Sequence, residues 1–161
     1  MSLEKWVEYG WLRREATSPS EIKDLLGIVD RSLADSRVEA VSSDLRFIAA
    51  FGAALTLATT ALRASGHRAA TQAGHHVKTI ESLELTVKVN PQLIQRLKTF
   101  NNKRNKSSYD VAGAVSDQEL EAMVKLATEL KENATAWLQK AHPELLKGSG
   151  SPFDSVSLTQ G

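Results

Sequence analysis

The sequence predicts an all-α protein, an antiparallel up-and-down bundle of about five to six helices. Apolar residues recur at helical spacing through most of the chain, and stretches with strand-like composition are almost absent. Helix start signals precede several of the apolar stretches, and the connections between them are short. We therefore expect one helical domain over residues 1–147 and a flexible Gly/Ser/Pro-rich tail over residues 148–161.

The first two predicted helices lie before residue 37. Apolar spacing predicts the first helix over residues 3 to about 15. The second helix begins after Ser18, which can cap it, and Pro19 suits the first helical position. Glu21 stands three residues after the cap, so we expect it to complete a capping box with Ser18.

Four further helices follow, and the first of them is expected to be central in the bundle. It is rich in alanine, which lets neighbouring helices approach closely, and Gly66 follows its end. Asn90 before Pro91 predicts the start of the fifth helix, and a Ser116–Glu119 capping box predicts the start of the sixth. The expected helices cover about residues 43–65, 75–85, 91 to 104–108, and 117–141.

Composition is that of a globular protein and narrows the possible chemistry. The chain has 161 residues, of which 42% are hydrophobic, and it contains no cysteine. The composition therefore excludes disulfides, thiolate metal sites and cysteine nucleophiles. The first residues lack a signal-peptide pattern, and the longest apolar stretch is shorter than the roughly 20 residues of a membrane span. We expect a cytoplasmic protein that does not contact a membrane.

Positive charge is concentrated in one part of the chain. Residues 63–106 contain nine Lys or Arg and two Glu, whereas the rest contains 11 basic and 17 acidic residues. Two interpretations remain open. The pattern is that of ordinary solvated helix faces, or it marks a cationic surface that attracts phosphate groups.

The most informative segment ends the fifth predicted helix. Leu93, Leu97 and Phe100 form its apolar stripe, and Arg104 is the next residue on that stripe. A guanidinium that continues a core-facing row needs a partner. It either pairs with an acid, such as Asp110 or a carboxylate of another helix, or it lies in a crevice and binds an anion.

Arg104-Asn105 followed by Tyr109-Asp110, late in a small all-α bundle, resembles the HEPN superfamily. The resemblance covers about residues 3–141. It implies a helical bundle that dimerises and, in many members, a metal-independent ribonuclease of toxin–antitoxin or phage-defence systems. It further implies that two motifs meet across the dimer to form one site, and that a nucleotidyltransferase-type antitoxin is a possible partner.

The motif of the family is an arginine, often followed by a polar residue, and a histidine after four to six residues. Arg104 and Asn105 match its first part, but Tyr109 stands where the histidine is expected. A tyrosine with an ordinary pKa near 10 is a poor base at neutral pH, although it can position a phosphate or donate a proton. The departure favours, as the alternative, a non-catalytic dimeric module that binds RNA, a nucleotide or a protein.

A histidine pair extends the resemblance and offers groups for acid–base work. His75 and His76 follow Gly74 at the start of the fourth predicted helix. Imidazole has the right pKa for proton transfer, but adjacent helical residues point about 100° apart and are poorly placed to chelate one metal. The simpler alternative is that one histidine is exposed and the other packs against a neighbouring helix.

The candidate site therefore combines catalytic and phosphate-binding groups. The candidate catalytic residues are Arg104, Asn105, Tyr109, Asp110, His75 and His76, and the candidate phosphate-binding residues are Lys103, Lys106 and Arg96. We expect no cofactor and no metal, a homodimer, and RNA or a nucleotide as ligand. Three hypotheses remain: a HEPN-like ribonuclease, a non-catalytic binding module, and a plain structural bundle in which Arg104 is salt-bridged.

Overall fold

A computed structural model describes residues 1–71, 74–109 and 113–147, with the side chains of all of these except residues 106–109. Within them the chain forms six α-helices, two short 3₁₀-helices and one two-stranded sheet. The helices are α1 (Leu3–Glu8), α2 (Pro19–Ser36), α3 (Ser43–Ala64), α4 (His75–Glu81), α5 (Pro91–Tyr109) and α6 (Asp117–Ala141). The strands are β1 (Leu12–Arg14) and β2 (His67–Ala69), and the 3₁₀-helices are Ser82–Glu84 and Pro143–Leu145. The predicted all-α bundle is confirmed, and the predicted tail lies outside the described residues.

Helix α3 is the centre of the bundle, as its alanine content predicts. Its buried residues are Phe47, Ala50, Phe51, Ala53, Ala54, Leu57, Ala58, Thr60, Ala61, Leu62, Arg63 and Ala64. Small side chains let α2 and α6 pack closely on α3, and one continuous core forms between the helices. By length and composition alone, α3 would also suffice to cross a membrane. In the bundle most of its apolar side chains are buried against the other helices, whereas Leu45 near its start is exposed.

Helices α2 and α3 lie side by side and run in opposite directions. Arg63 near the end of α3 bonds Glu21 near the start of α2, and Arg46 near the start of α3 bonds the carbonyl of Ser36, which ends α2. Helices α2 and α3 are therefore antiparallel. Helix α5 also contacts α3, where Phe100 packs edge-on against Phe47.

The first helix is shorter than predicted. The prediction carried it to about residue 15, but α1 ends at Glu8. Gly10 has a φ of 79°, and the N–H groups of Gly10 and Trp11 bond the carbonyls of Val7 and Trp6. This is a Schellman motif, in which a left-handed glycine closes the helix. The apolar spacing continues past Gly10, but the helical conformation of the backbone ends before it.

The residues after that glycine form a strand that the sequence did not predict. Leu12–Arg14 pairs antiparallel with His67–Ala69, and Arg13 lies opposite Arg68. Each strand has three residues, and neither has strand-like composition. The pairing is stabilised by contacts between distant parts of the chain, because Leu12 is buried with Trp6 and Leu62 in a small cluster below the sheet.

Most helix starts follow the predicted capping chemistry. Ser18 accepts the Glu21 N–H at 3.1 Å, and Asn90 accepts the Leu93 N–H at 2.8 Å. The prediction that Glu21 completes a capping box by accepting from the Ser18 N–H is wrong. The carboxylate of Glu21 instead accepts from the Thr17 hydroxyl and from Arg63, because a buried guanidinium is the stronger partner.

The capping box at the start of α6 is complete. Ser116 Oγ accepts the Glu119 N–H at 3.1 Å, and Glu119 Oε1 accepts the Ser116 N–H at 3.1 Å. The hydrogen bond from the Ser116 backbone is the largest of the interactions that lower the pKa of Glu119. The box holds the start of α6 beside the start of α3, where Asp44 accepts the Val115 N–H.

We expect Ser116→Ala to lower the free energy of unfolding by about 1 kcal/mol, since an N-terminal N–H of α6 loses its acceptor. Urea denaturation followed by circular dichroism measures the change. Ser116→Asn retains an acceptor at the cap and should stay close to wild type. An equal loss in both variants would contradict the capping role.

Candidate functional site

Helix α4 presents the histidine pair at its start. Gly74 precedes it with a φ of 81°, a left-handed conformation that suits glycine, so the chain turns sharply into the helix. The imidazole rings of His75 and His76 lie 4.2 Å apart between centroids, at 63° to each other. Both side chains are half-buried, so the alternative with one exposed and one packed histidine does not describe the pair.

Arg104 continues the apolar stripe of α5, as predicted. Leu93 and Leu97 are buried, and the guanidinium of Arg104 lies 5.9 Å from the ring centroid of Phe51 on α3. This is the range of a cation–π contact. Its Nη1 also lies 3.5 Å from the side-chain oxygen of Asn105. Among the side chains that the structure describes, none is a carboxylate within 4.0 Å of this guanidinium.

Residues from the two helices meet at an open pocket of about 480 Å³. Its lining consists of Gly74, His75, His76 and Val77 from the start of α4, and Asn101, Asn102 and Asn105 from α5. Arg104 is close enough to His76 to influence its charge. Three candidate catalytic residues, His75, His76 and Asn105, thus line one pocket, and Arg104 lies near His76 without lining it. Tyr109 ends α5, but its side chain and the whole of Asp110 lie outside the described residues.

A second cavity of about 320 Å³ lies on another side of the same histidines. Apolar side chains from α2 and α3, including Leu25 and Leu55, form one part of its wall. Arg68 of β2 and Thr79 of α4 contribute polar groups. The histidine pair therefore lines two adjoining cavities, one mixed in character and the other dominated by amides.

The surroundings of His76 keep its imidazole neutral. Burial lowers the pKa of His76, and the nearby charges of His75 and Arg104 lower it further, below its ordinary value of 6.5. At pH 7 the ring therefore carries a free nitrogen lone pair that can accept a proton. A neutral imidazole beside an arginine combines a base with an anion-binding group.

Most of the locally concentrated positive charge is paired in space. Of the eight basic residues between positions 63 and 106 whose side chains are described, five lie within 4.0 Å of a carboxylate. The pairs are Arg63 and Arg68 with Glu15 and Glu21, Lys78 and Lys98 with Glu81, and Lys103 with Glu119. Carboxylates, several of them from distant parts of the chain, thus neutralise much of the excess positive charge of residues 63–106.

The three candidate phosphate-binding residues have different surroundings. Lys103 faces α6, where its Nζ lies 3.3 Å from Glu119. Arg96 is exposed on α5, two turns before Arg104, and makes no ion pair with the described part of the chain. The side chain of Lys106 lies outside the described residues. Of Lys103 and Arg96, whose side chains are described, Arg96 is available to an anion without breaking a described ion pair.

Two features of this region were missed by sequence reasoning. Asn101 and Asn102 line the pocket, although only Asn105 was among the candidates. Their positions one turn or less before Asn105 on one helix were a usable signal. Arg63 was counted only as surface charge, but it is buried and forms an ion-pair centre with Glu21 and Glu15.

Comparison with known proteins supplies no relative. The chain matches no protein-family model, no curated protein and no solved structure. The likeness to the HEPN superfamily therefore rests on the residues quoted above and on the all-α bundle. Within the described residues, no group of three or more His, Cys, Asp or Glu side chains is placed to hold a metal ion.

Proposed function

We propose that this is a HEPN-like, RNA-directed protein that cleaves RNA without a metal, in a toxin–antitoxin or defence setting. The observation that carries the proposal is that His76 of α4 and Asn105 of α5 line one open pocket, and that Arg104 of α5 lies close enough to His76 to lower its pKa. In this proposal His76 takes over the role of the histidine that Tyr109 replaces in the motif. The fold adds support, since an all-α bundle is what the resemblance implies.

The proposed reaction is transfer of a phosphodiester to the neighbouring 2′-oxygen. His76 accepts the proton of the 2′-hydroxyl while the 2′-oxygen forms a bond to phosphorus and the bond from phosphorus to the 5′-oxygen breaks. The leaving 5′-oxygen takes a proton from water, and the resulting hydroxide recovers the proton held by His76. Arg104 stabilises the negative charge that develops on the phosphoryl oxygens. The products are a 2′,3′-cyclic phosphate and a 5′-hydroxyl.

We expect Arg104→Ala to reduce RNA cleavage about 10²- to 10³-fold, the usual loss when a charge-stabilising donor is removed. Purified protein is incubated with structured and unstructured RNA in EDTA, and the products are resolved on denaturing gels. Arg31→Ala removes an exposed arginine of α2 and should leave the rate unchanged. Equal background cleavage by wild type and Arg104→Ala would refute the nuclease.

The second candidate is a non-catalytic module that binds RNA or a nucleotide at the same pocket. Tyr109 at the motif histidine position favours it, because an ordinary tyrosine is a poor base at neutral pH. This candidate predicts a mobility shift of RNA that weakens with salt, without any cleavage. No shift at low salt would remove it. Cleavage that depends on Arg104 would favour the first candidate.

The partners implied by the resemblance stay predictions. A homodimer would bring two copies of the pocket together, and light scattering after size-exclusion chromatography measures its mass. Conservation of a neighbouring gene for a nucleotidyltransferase-type antitoxin would support the toxin–antitoxin setting. The cytoplasmic location also stays a prediction.

A further inference from the structure

We propose that the C-terminal segment around Phe153 docks in the cavity between α2, α3, β2 and α4, where it covers one side of the histidine pair. This cavity has a volume of about 320 Å³ and adjoins the pocket of the proposed function. The docking is independent of the proposed function, and only its effect on RNA cleavage rests on that function.

The wall of this cavity has apolar surface that the bundle leaves uncovered. Leu25 of α2 and Leu55 of α3 line it and are only partly buried, and Leu62 and Ala69 add further apolar surface. Such surface is stabilised when an apolar side chain covers it. The volume lies at the low end of the range of about 300–1,000 Å³ for ligand sites. The cavity therefore suits one side chain better than an extended molecule.

A cation stands beside this apolar wall. Arg68 lines the cavity, and its side chain is 41% exposed. Its Nε lies 3.0 Å from Glu15, but this N–H is not aligned for a hydrogen bond and has no acceptor among the described residues. A buried N–H without an acceptor costs free energy. The cavity therefore fits an occupant in which an apolar side chain stands next to a carboxylate.

Residues 148–161 contain that combination once. Phe153 is their only aromatic residue, and Asp154, which follows it, is their only charged residue. Val156 and Leu158 have no charged neighbour. The segment begins with residues 148–150, Gly-Ser-Gly, a composition typical of flexible linkers. The chain thus offers the cavity a matching pair of side chains on a flexible connection.

The chain enters this segment close to the cavity. The 3₁₀-helix Pro143–Leu145 packs against α2, and its last residue belongs to a cluster with Ile22 and Ala64. Glu21 and Arg63, the residues directly before these two, line the cavity. Adjacent residues of a helix point about 100° apart, so the cluster and the cavity lie on neighbouring sides of the same helix ends.

The connection is long enough to reach the cavity. Phe153 lies eight residues beyond Leu145, and extended chain spans about 3.3 Å per residue, or about 26 Å in total. A helix with its side chains is about 10–12 Å wide. The segment can therefore pass around the end of α2 or α3 and bring Phe153 to the cavity without disturbing the bundle.

Docking there restricts the proposed site. His75 and His76 line both this cavity and the pocket beside α5. A benzyl group beside the two imidazoles excludes a nucleotide from this side of the pair. Full cleavage of RNA then requires release of the segment.

The test uses the absence of cysteine from the chain. Thr71→Cys, at an exposed position of the cavity lining, is combined with Ser155→Cys, two residues beyond Phe153. Gln139→Cys, at an exposed position of α6, combined with Ser155→Cys is the control pair. Because a disulfide needs Cα atoms within about 7 Å, its rate of formation in the full chain under mild oxidation reports the contact. Non-reducing gels at low protein concentration measure this rate.

We expect the Thr71 pair to crosslink on the order of 10-fold faster than the Gln139 pair, although Gln139 is nearer to position 155 along the chain. Phe153→Ser should slow the Thr71 crosslink by a similar factor, because covering a phenylalanine is worth roughly that much. Asp154→Asn should slow it about 2- to 5-fold. Leu158→Ser is the matched control and should not change it. Equal rates for the two pairs, a crosslink only between two molecules, or an equal effect of Leu158→Ser would overturn the docking.

RNA cleavage separates the docking from its consequence. In the cysteine-free chain, Phe153→Ser should raise the cleavage rate on the order of 10-fold, and Leu158→Ser should not. If the crosslinks form as expected but no variant cleaves RNA, the proposed function fails and the docking stands. If wild type cleaves RNA and Phe153→Ser cleaves it equally fast, the segment does not restrict the site, and that part of the inference is wrong.

Discussion

Arg63→Ala is expected to lower the free energy of unfolding by about 1.5–3 kcal/mol, because the buried guanidinium loses charge-assisted hydrogen bonds to carboxylates that stay partly exposed. Arg63 is 4% exposed, and its Nε donates to Glu21 at 2.9 Å. The same guanidinium reaches Glu15 and the backbone carbonyls of Ala16 and His67. One side chain thus holds the end of α3 against the start of α2, the linker before α2 and strand β2.

Arg68→Ala is the matched control for this change. Arg68 contacts the same two carboxylates, at 3.0 Å from Glu15 and 3.9 Å from Glu21, but its side chain is 41% exposed. Exposed pairs contribute up to about 1 kcal/mol, so Arg68→Ala should be much the milder variant. Urea denaturation of both variants measures the difference. Similar losses would show that burial does not set the contribution of Arg63.

The same ion pair predicts a dependence of stability on pH. The hydrogen bond from Thr17 and then the interactions with Arg63 lower the pKa of Glu21 below its ordinary value of 4.5. A carboxyl with a depressed folded-state pKa stabilises the protein above the unfolded-state pKa, and this stabilisation is lost as pH falls through the folded-state pKa. We therefore expect the difference between wild type and Arg63→Ala to narrow in acid below about pH 4.5.

Local chemistry explains why helix starts were predictable and the small sheet was not. Ser116, Asn90 and Ser18 cap helices through bonds to residues three positions away, so a short window of sequence contains the whole interaction. Strand β1 bonds to β2, far along the chain, and no local pattern reports such a partner. Gly10 is a helix stop signal, but the prediction followed the apolar spacing, which continues beyond this glycine.

The candidate site was predictable in its residue types and not in its geometry. Arg104 was singled out because it continues an apolar stripe, and that placement is confirmed by its contact with Phe51. Arg104 lies near His76 because of the way α4 packs on α5. No local residue pattern predicts that packing. Asn101 escaped notice because a polar residue on a helix ordinarily faces water, and only the packing reveals its burial.

His76→Gln should reduce RNA cleavage about 10²- to 10⁴-fold, the range for losing a general base. The ring is neutral at pH 7 because burial, then His75 and Arg104, lower its pKa below 6.5. The value of kcat/KM should therefore rise with pH only below pH 6.5 and stay level above it. The variant should lose this rising limb, whereas His142→Gln, at the end of α6, should keep both the rate and the profile.

The same pKa shift makes a separate prediction for folding, which is independent of any RNA. Because the pKa of His76 is lower in the folded than in the unfolded chain, the unfolded state binds more protons below pH 6.5. Wild type should then lose stability as pH falls from 6.5, and His76→Gln should lose less over the same interval. If the folding prediction holds but the variant cleaves RNA like wild type, His76 is a buried neutral histidine and the base lies elsewhere. If both hold, one desolvated imidazole accounts for the pH dependence of folding and of the reaction.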